Sequence, residues 1–232
     1  MTKKSSTANS PDGSRKPPPK GPKQQITIAA PNFQTAIFQV RGTSQLVGNK
    51  FSARARADMK AKMEAGSTAN KGAKRKPKDF KKLYREAIHF AVEGWEGIPA
   101  PAFRNAMISA CRMVGYQMTR AKLCVFVEAD GYDSDDDTPL VRIRKGKSKY
   151  GEHLVRNDTG VADLRPRPVW APGWEATVRV KFDADQFTLE DVANLLSRAG
   201  VQCGILAGRP NSQQSNGMGW GCFEIVNQRS EK

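Results

Sequence analysis

No stretch of this 232-residue chain approaches the roughly eighteen apolar residues of a membrane-spanning helix, so none is expected. The N-terminus has lysines but no apolar segment behind them, which argues against a secretory signal. Cysteine is sparse: Cys111, Cys124, Cys203 and Cys222 lie far apart in apolar surroundings, without Cys-x-x-Cys or Cys/His spacing. That pattern argues against a zinc cluster and for buried free thiols in a reducing compartment, the cytosol. Histidine is limited to His89 and His153. With no Ser/His/Asp triad, metal cluster or nucleotide fingerprint, no catalytic residue, metal or cofactor is implied, and the chain reads as a non-enzyme.

Positive charge is present in excess. The formal net charge is +15, from 38 Lys and Arg against 23 Asp and Glu. Residues 1–24 contribute +5 and residues 41–86 contribute +10, and everything else balances at eighteen of each sign. A neutral body with two basic extensions suits a polyanion, because each neutralised phosphate releases counterions. A membrane surface would want an apolar anchor beside the lysines, and the tail has none. Residues 1–24, rich in Ser, Thr, Pro and Lys, cannot bury enough apolar surface to fold and are expected to be disordered. Residues 25–228 are expected to form one domain.

Within that domain Gln34–Val40 reads as a first strand. A long polar insertion, 42–78, follows, in which Ala53–Ala65 can form a helix without a strong apolar face. Little core is expected in it. Asp79–Val92 and Pro101–Val114 read as amphipathic helices, the second ended by Gly115, and Ala121–Val127 as a buried strand. A short strand is expected near Leu140–Arg144. Ala176–Phe182 alternates, with Val178, Val180 and Phe182 inward and Thr177, Arg179 and Lys181 outward. Thr188 and Asp191 form a capping-box signature for a helix carrying Leu189, Val192, Leu195, Leu196 and Ala199 on one face, with Gly200 at its C-cap. A glycine-rich loop, Gly208–Gly221, leads into a last strand, Cys222–Val226. Strand, helices, strand, strand, helix, strand is the ferredoxin-like order: an α+β fold with an antiparallel sheet and helices on one face.

Gly217, Gly219 and Gly221 alternate at the start of that strand. Side-chain-free backbone there lets another backbone approach and leaves N–H groups for an anion; a sharp hairpin bend explains the same residues. A strand rather than a helix follows, so the dinucleotide-binding motif fails its context. The order helix, glycine-rich loop, final strand resembles the C-terminal half of the RAMP superfamily, the RNA-binding subunits of CRISPR effector complexes. Ile98-Pro-Ala-Pro-Ala-Phe-Arg104 is similar to the first-helix motif of the backbone-forming members. It departs at Ala100 and Ala102, where small polar residues or glycine are usual, and in a second basic residue displaced to Arg112. The chain is also similar to uncharacterised bacteriophage proteins.

The RAMP resemblance implies that the loop lies against RNA and that the insertion after the first strand is a thumb folding over a guide RNA. It implies a repeated subunit, meeting copies of itself or other subunits, in a prokaryotic or phage-infected cell. The expected nucleic-acid contacts are Arg41, Lys50, Arg54, Arg56, Lys60, Lys62, Arg104, Arg179, Lys181 and Arg209, with Gly217, Gly219, Trp220 and Gly221. RNA and single-stranded DNA both remain open as ligand.

Other motifs have plainer readings. Asp133, Asp135 and Asp137 alternate as in an EF-hand, but Thr138 replaces the turn glycine and Arg144 the bidentate Glu. A solvated acidic loop, pairing with a neighbouring subunit's basic loop, fits better. His89, between Ile88 and Phe90, reads as packing. His153, read as a loop residue beside Lys147 and Lys149, is the candidate acid or base if the chain cleaves RNA. Asp58 reads as a surface ion pair with Arg54 or Lys62. Trp170 and Trp174 are expected to pack two rings across a turn. Trp220 suits stacking on a base or plugging the core. The function expected is sequence-tolerant binding of RNA or single-stranded nucleic acid. The alternatives are a bacteriophage structural or DNA-replication accessory protein and an RNA endonuclease.

Overall fold

The computed structural model describes residues 28–66, 77–156, 162–212 and 218–230. The basic tail and Gly217 lie outside them. From Pro31 on, the described residues form one compact unit. Along it run β1 (Phe33–Gly42), β2 (Leu46–Val47), α1 (Ala53–Ala65), α2 (Phe80–Glu86), β3 (Gly97–Pro99) and α3 (Ala100–Ala110). Then come α4 (Met118–Cys124), β4 (Val125–Glu128), β5 (Gly131–Tyr132), β6 (Pro139–Lys145), β7 (Lys149–Arg156) and β8 (Ala162–Trp170). The chain closes with β9 (Glu175–Asp183), α5 (Leu189–Arg198) and β10 (Phe223–Ser230).

The main sheet is antiparallel, with β10 beside β1, β1 beside β9 and β4 beside β9. Taking β1, α3, β4, β9, α5 and β10 in sequence, this is the ferredoxin-like α+β arrangement, with the last strand beside the first and the third between the first and second. The edge of β9 is shared end to end: β4 pairs Arg179–Phe182, and β6 pairs Glu175 and Ala176. Strict alternation dictates which face is covered. Ala36, Phe38 and Val40 of β1, Val178, Val180 and Phe182 of β9 and Val125 of β4 join Phe103, Met107, Val192 and Leu196 of α3 and α5 in one core. The capping box forms as read: Asp191 N–H donates to Thr188 Oγ1, and Thr188 N–H to Asp191 Oδ2.

Several expectations are corrected. The helix expected over Asp79–Val92 ends at Glu86, after which Phe90 bridges Glu96 and Ala91 bridges Asp133. The segment trades helical bonds for pairing that brings His89 to Asp133. The strand expected from Ala121 is helical as far as Cys124. Ala121 and Cys124, three apart, are buried while Leu123 faces solvent, which is helical spacing. Gly200 is no left-handed cap. It lies in a π-helical turn, and a Cβ there would come well inside 3.0 Å of the Phe223 carbonyl oxygen; Gly204, at φ +65°, ends the turn.

The insertion also carries core. Leu46 and Val47 are fully buried and pair with Trp170 and Val169, so β2, β8 and β7 form a second, three-stranded sheet. His153 is a strand residue of β7, paired in register with Arg165. Trp170 and Trp174 are buried across the turn at Gly173, φ +89°. Their indole N–H groups donate to Glu96 Oε2 (2.7 Å) and the Ser44 carbonyl (3.1 Å). Cys111, Cys124 and Cys203 are buried free thiols and Cys222 a half-buried one; burial pushes all four thiol pKa values up.

Candidate nucleic-acid interface

The face of the main sheet opposite α3 and α5 is defined by strand parity. Phe33, Thr35, Ile37, Gln39 and Arg41 of β1 alternate with its buried residues. Lys181 of β9 pairs in register with both Thr35 and Phe126 of β4, and Arg179 with Ile37 and Glu128. Phe33 and Phe126, each 37% exposed, meet edge to face with ring centres 5.9 Å apart. The Lys181 ammonium lies 5.5 Å from the Phe33 ring centre, and the Arg104 guanidinium 5.0 Å from that of Phe126. Two half-exposed aromatics with Lys181 beside them on an open sheet can stack bases and hold a phosphate. The sequence reading missed both phenylalanines. The signal was there: Phe33 has the parity of Thr35, and Phe126 lies between the inward Val125 and Val127.

Most of the expected contact residues have partners within the chain. Arg41 and Lys145 both pair with Glu175 at 3.2 Å, and Arg179 pairs with Asp130 at 2.6 Å. Arg104 donates to the carbonyls of Val125 (2.8 Å) and Lys122, tying α3 to β4. Arg209 donates to the Leu206 carbonyl at 3.0 Å. No residue of α1 is buried. Arg54 pairs with Glu86 and Arg56 with Asp136, while Lys60 makes only an exposed pair with Glu64 at 3.8 Å. Arg54 therefore turns to Glu86 rather than Asp58.

Lys50 is the clearest departure. Its side chain is 2% exposed, and its ammonium holds Asp133 Oδ1 and Asp135 Oδ2, each at 2.6 Å. Asp133 is fully buried, and its Oδ2 lies 2.7 Å from His89 Nδ1. A charge with two carboxylates at contact distance inside the protein is a structural fixture, not a strand-binding one. The acidic loop thus pairs with the base of the chain's own insertion. His89, Asp133 and Asp136 could share a metal ion, but both Asp133 oxygens are already engaged.

The node titrates in a definite sense. Burial, helped by Lys50, lowers the His89 pKa against the pull of Asp133, so the ring is neutral and its Nδ1–H donates to the carboxylate. Burial alone would raise the Asp133 pKa, but hydrogen bonds from Lys50, the Asp135 amide and His89 outweigh it and lower the value. Both groups bind protons more readily when unfolded, so the stability they contribute is lost as pH falls. Urea melts are expected to show stability declining below about pH 6.5 through His89 and again below about pH 3.8 through Asp133. Stability flat from pH 7 to pH 3 would contradict this account.

The described residues of the glycine-rich loop, 208–212 and 218–221, pack against the chain itself. Gly221 (φ +70°) donates its N–H to the Gln45 carbonyl and accepts from Ile205 N–H, and the Trp220 N–H donates to Gly208 O. Those N–H groups are not free for an anion. Trp220 sits over Gly208, where a Cβ would meet its ring, and lies 4.8 Å from the His153 ring centre. It is a half-buried plug joining the loop to β7, and Gly219 (φ +67°) faces open space.

No protein-family model and no curated protein matches the chain. Among solved structures, a chain of the type III-B Cmr-beta complex bound to cognate target RNA matches over 87% of this chain and 61% of that one. Identity is 9% and the TM-score 0.49. This chain therefore spans under two thirds of that one, and at this score the likeness bears on neither function nor site. Among the described residues no helix is long and apolar enough to cross a membrane.

Proposed function

We propose that this chain binds single-stranded nucleic acid, RNA in the first instance, with little sequence preference, as a non-enzymatic subunit of a larger ribonucleoprotein. The observation that carries the reading is the Phe33–Phe126 pair with Lys181 beside it on the uncovered sheet face. Every base has a π-face, so stacking on these rings is sequence-tolerant. The exposed cations of α1, Lys60 and Lys62, supply the salt-dependent share. The RAMP-like order of elements favours RNA and a multi-subunit setting.

Fluorescence anisotropy with labelled RNA and DNA oligonucleotides tests it. Phe126→Ala is expected to cost about 1–3 kcal/mol of single-strand affinity with little change in melting temperature. The double variant Lys60→Gln, Lys62→Gln is expected to flatten the slope of log K against log salt by up to about 1.4. Affinity and salt slope that ignore both variants would remove the sheet face and α1 from the interface. Equal affinity for DNA would widen the ligand class to single strands generally.

A further inference from the structure

A cavity of about 260 Å³ lies between the start of α1, helix α2 and strand β8. It is apart from the open sheet face, and its charges do not cancel internally. Asp163 is held by Lys78 at 2.5 Å and by Arg165 at 3.2 Å, and Lys50 is committed to Asp133 and Asp135. Arg167 has no such carboxylate among the described residues. It is 7% exposed, and its Nη1 is buried without a hydrogen-bond partner. Glu86 Oε2, on the cavity's other wall, is likewise buried without one, its nearest cation being Arg54 Nε at 3.7 Å. Phe51, 52% exposed, adds an apolar wall, and the first turn of α1 behind it contains no acid.

A buried charged donor without a partner, and a buried carboxylate oxygen that has an ion pair but no hydrogen bond, both carry a desolvation cost that a ligand can relieve. The ligand must bring an anion for Arg167, an N–H for Glu86 and a flat body for Phe51. Inorganic phosphate supplies only the first. A nucleoside monophosphate with an amino-bearing base supplies all three. The volume is just below the usual range for small-ligand clefts, so one such unit is the most it takes. We propose that this cavity binds a single nucleotide, with its phosphate on Arg167 and its amino base on Glu86 against Phe51. The proposal does not rest on strand binding at the sheet face.

The test is titration calorimetry of the full chain at low salt with AMP and with inorganic phosphate as probes. Saturable AMP binding, tighter than phosphate, is expected, with Phe51→Ala weakening it by about tenfold and Arg167→Gln by more. Phe126→Ala is expected to leave AMP binding unchanged, which separates this site from the sheet face. Phe51 is half exposed, so its variant keeps the test decisive even if Arg167→Gln fails to fold. No saturable AMP binding, phosphate binding as tightly as AMP, or full affinity in Phe51→Ala would each overturn the site.

Discussion

Replacing Asp133 with Ala is expected to cost about 3–5 kcal/mol of folding stability, among the largest losses any single change in this protein can cause. The carboxylate is fully buried and binds Lys50 at 2.6 Å, His89 at 2.7 Å and the Asp135 amide at 2.8 Å. Removing it strands a buried ammonium and an imidazole donor, and Asp135, half exposed, cannot compensate for both. Pairing Lys50→Met with Asp133→Leu is expected to recover much of the loss, because buried ion pairs tolerate apolar replacement better than truncation. Urea denaturation at pH 7 measures both. A single-variant loss under about 1 kcal/mol would mean the node is hydrated in solution and does not hold the insertion to the acidic loop. The consequence reaches α1: Lys50 precedes the helix and Arg56 within it pairs with Asp136, so one loop fixes the base of the cationic helix. Loss of the node is therefore expected to weaken strand binding through α1 without touching the sheet face.

That node also marks where the sequence stops being legible. The ferredoxin-like strands β1 and β9 and helix α5 could be read in advance, because alternation at Val178, Val180 and Phe182 and the Thr188–Asp191 box are local patterns. Lys50 and Asp133 are 83 residues apart, and no local pattern links a lysine in a basic insertion to an aspartate in an acidic run. Each charge run looked solvated by itself; folding matched them. The β7–β8 sheet was hidden for a different reason. Pro166 and Pro168 interrupt β8, and proline normally argues against a paired strand. The stacking pair escaped notice because an exposed aromatic means something only once strand parity is known, and Phe33 and Phe126 come from strands paired to opposite sides of β9. The cationic residues were easy to name and harder to place. Only the fold shows that Lys50 and Arg104 are structural fixtures while Lys181 stands on the open face.

Gly221→Ala is expected to be the most damaging change in the glycine-rich loop, and comparison with Gly219→Ala isolates why. Both residues have positive φ, +70° and +67°, so a methyl group strains either backbone by about 1–2 kcal/mol. Gly219 faces open space, and strain is the whole expected cost. At Gly221 the new Cβ would also fall far inside 3.0 Å of the Ile205 carbonyl oxygen, while the bond from Ile205 N–H to the Gly221 carbonyl (3.0 Å) pins the two segments together. Overpacking there adds about 1–3 kcal/mol, for a total of about 2–5 kcal/mol. At roughly 2–4 °C of melting temperature per kcal/mol for a domain of this size, the two variants separate readily by thermal melt. Equal losses would mean that the close approach at Gly221 relaxes without cost. Single-strand affinity, measured on the same preparations below their melting points, settles the loop's second role. If the glycines serve only the chain's own packing, Gly219→Ala binds as the unmodified chain does. If a strand passes over the loop, the methyl group at this open position weakens binding while stability falls only by the strain.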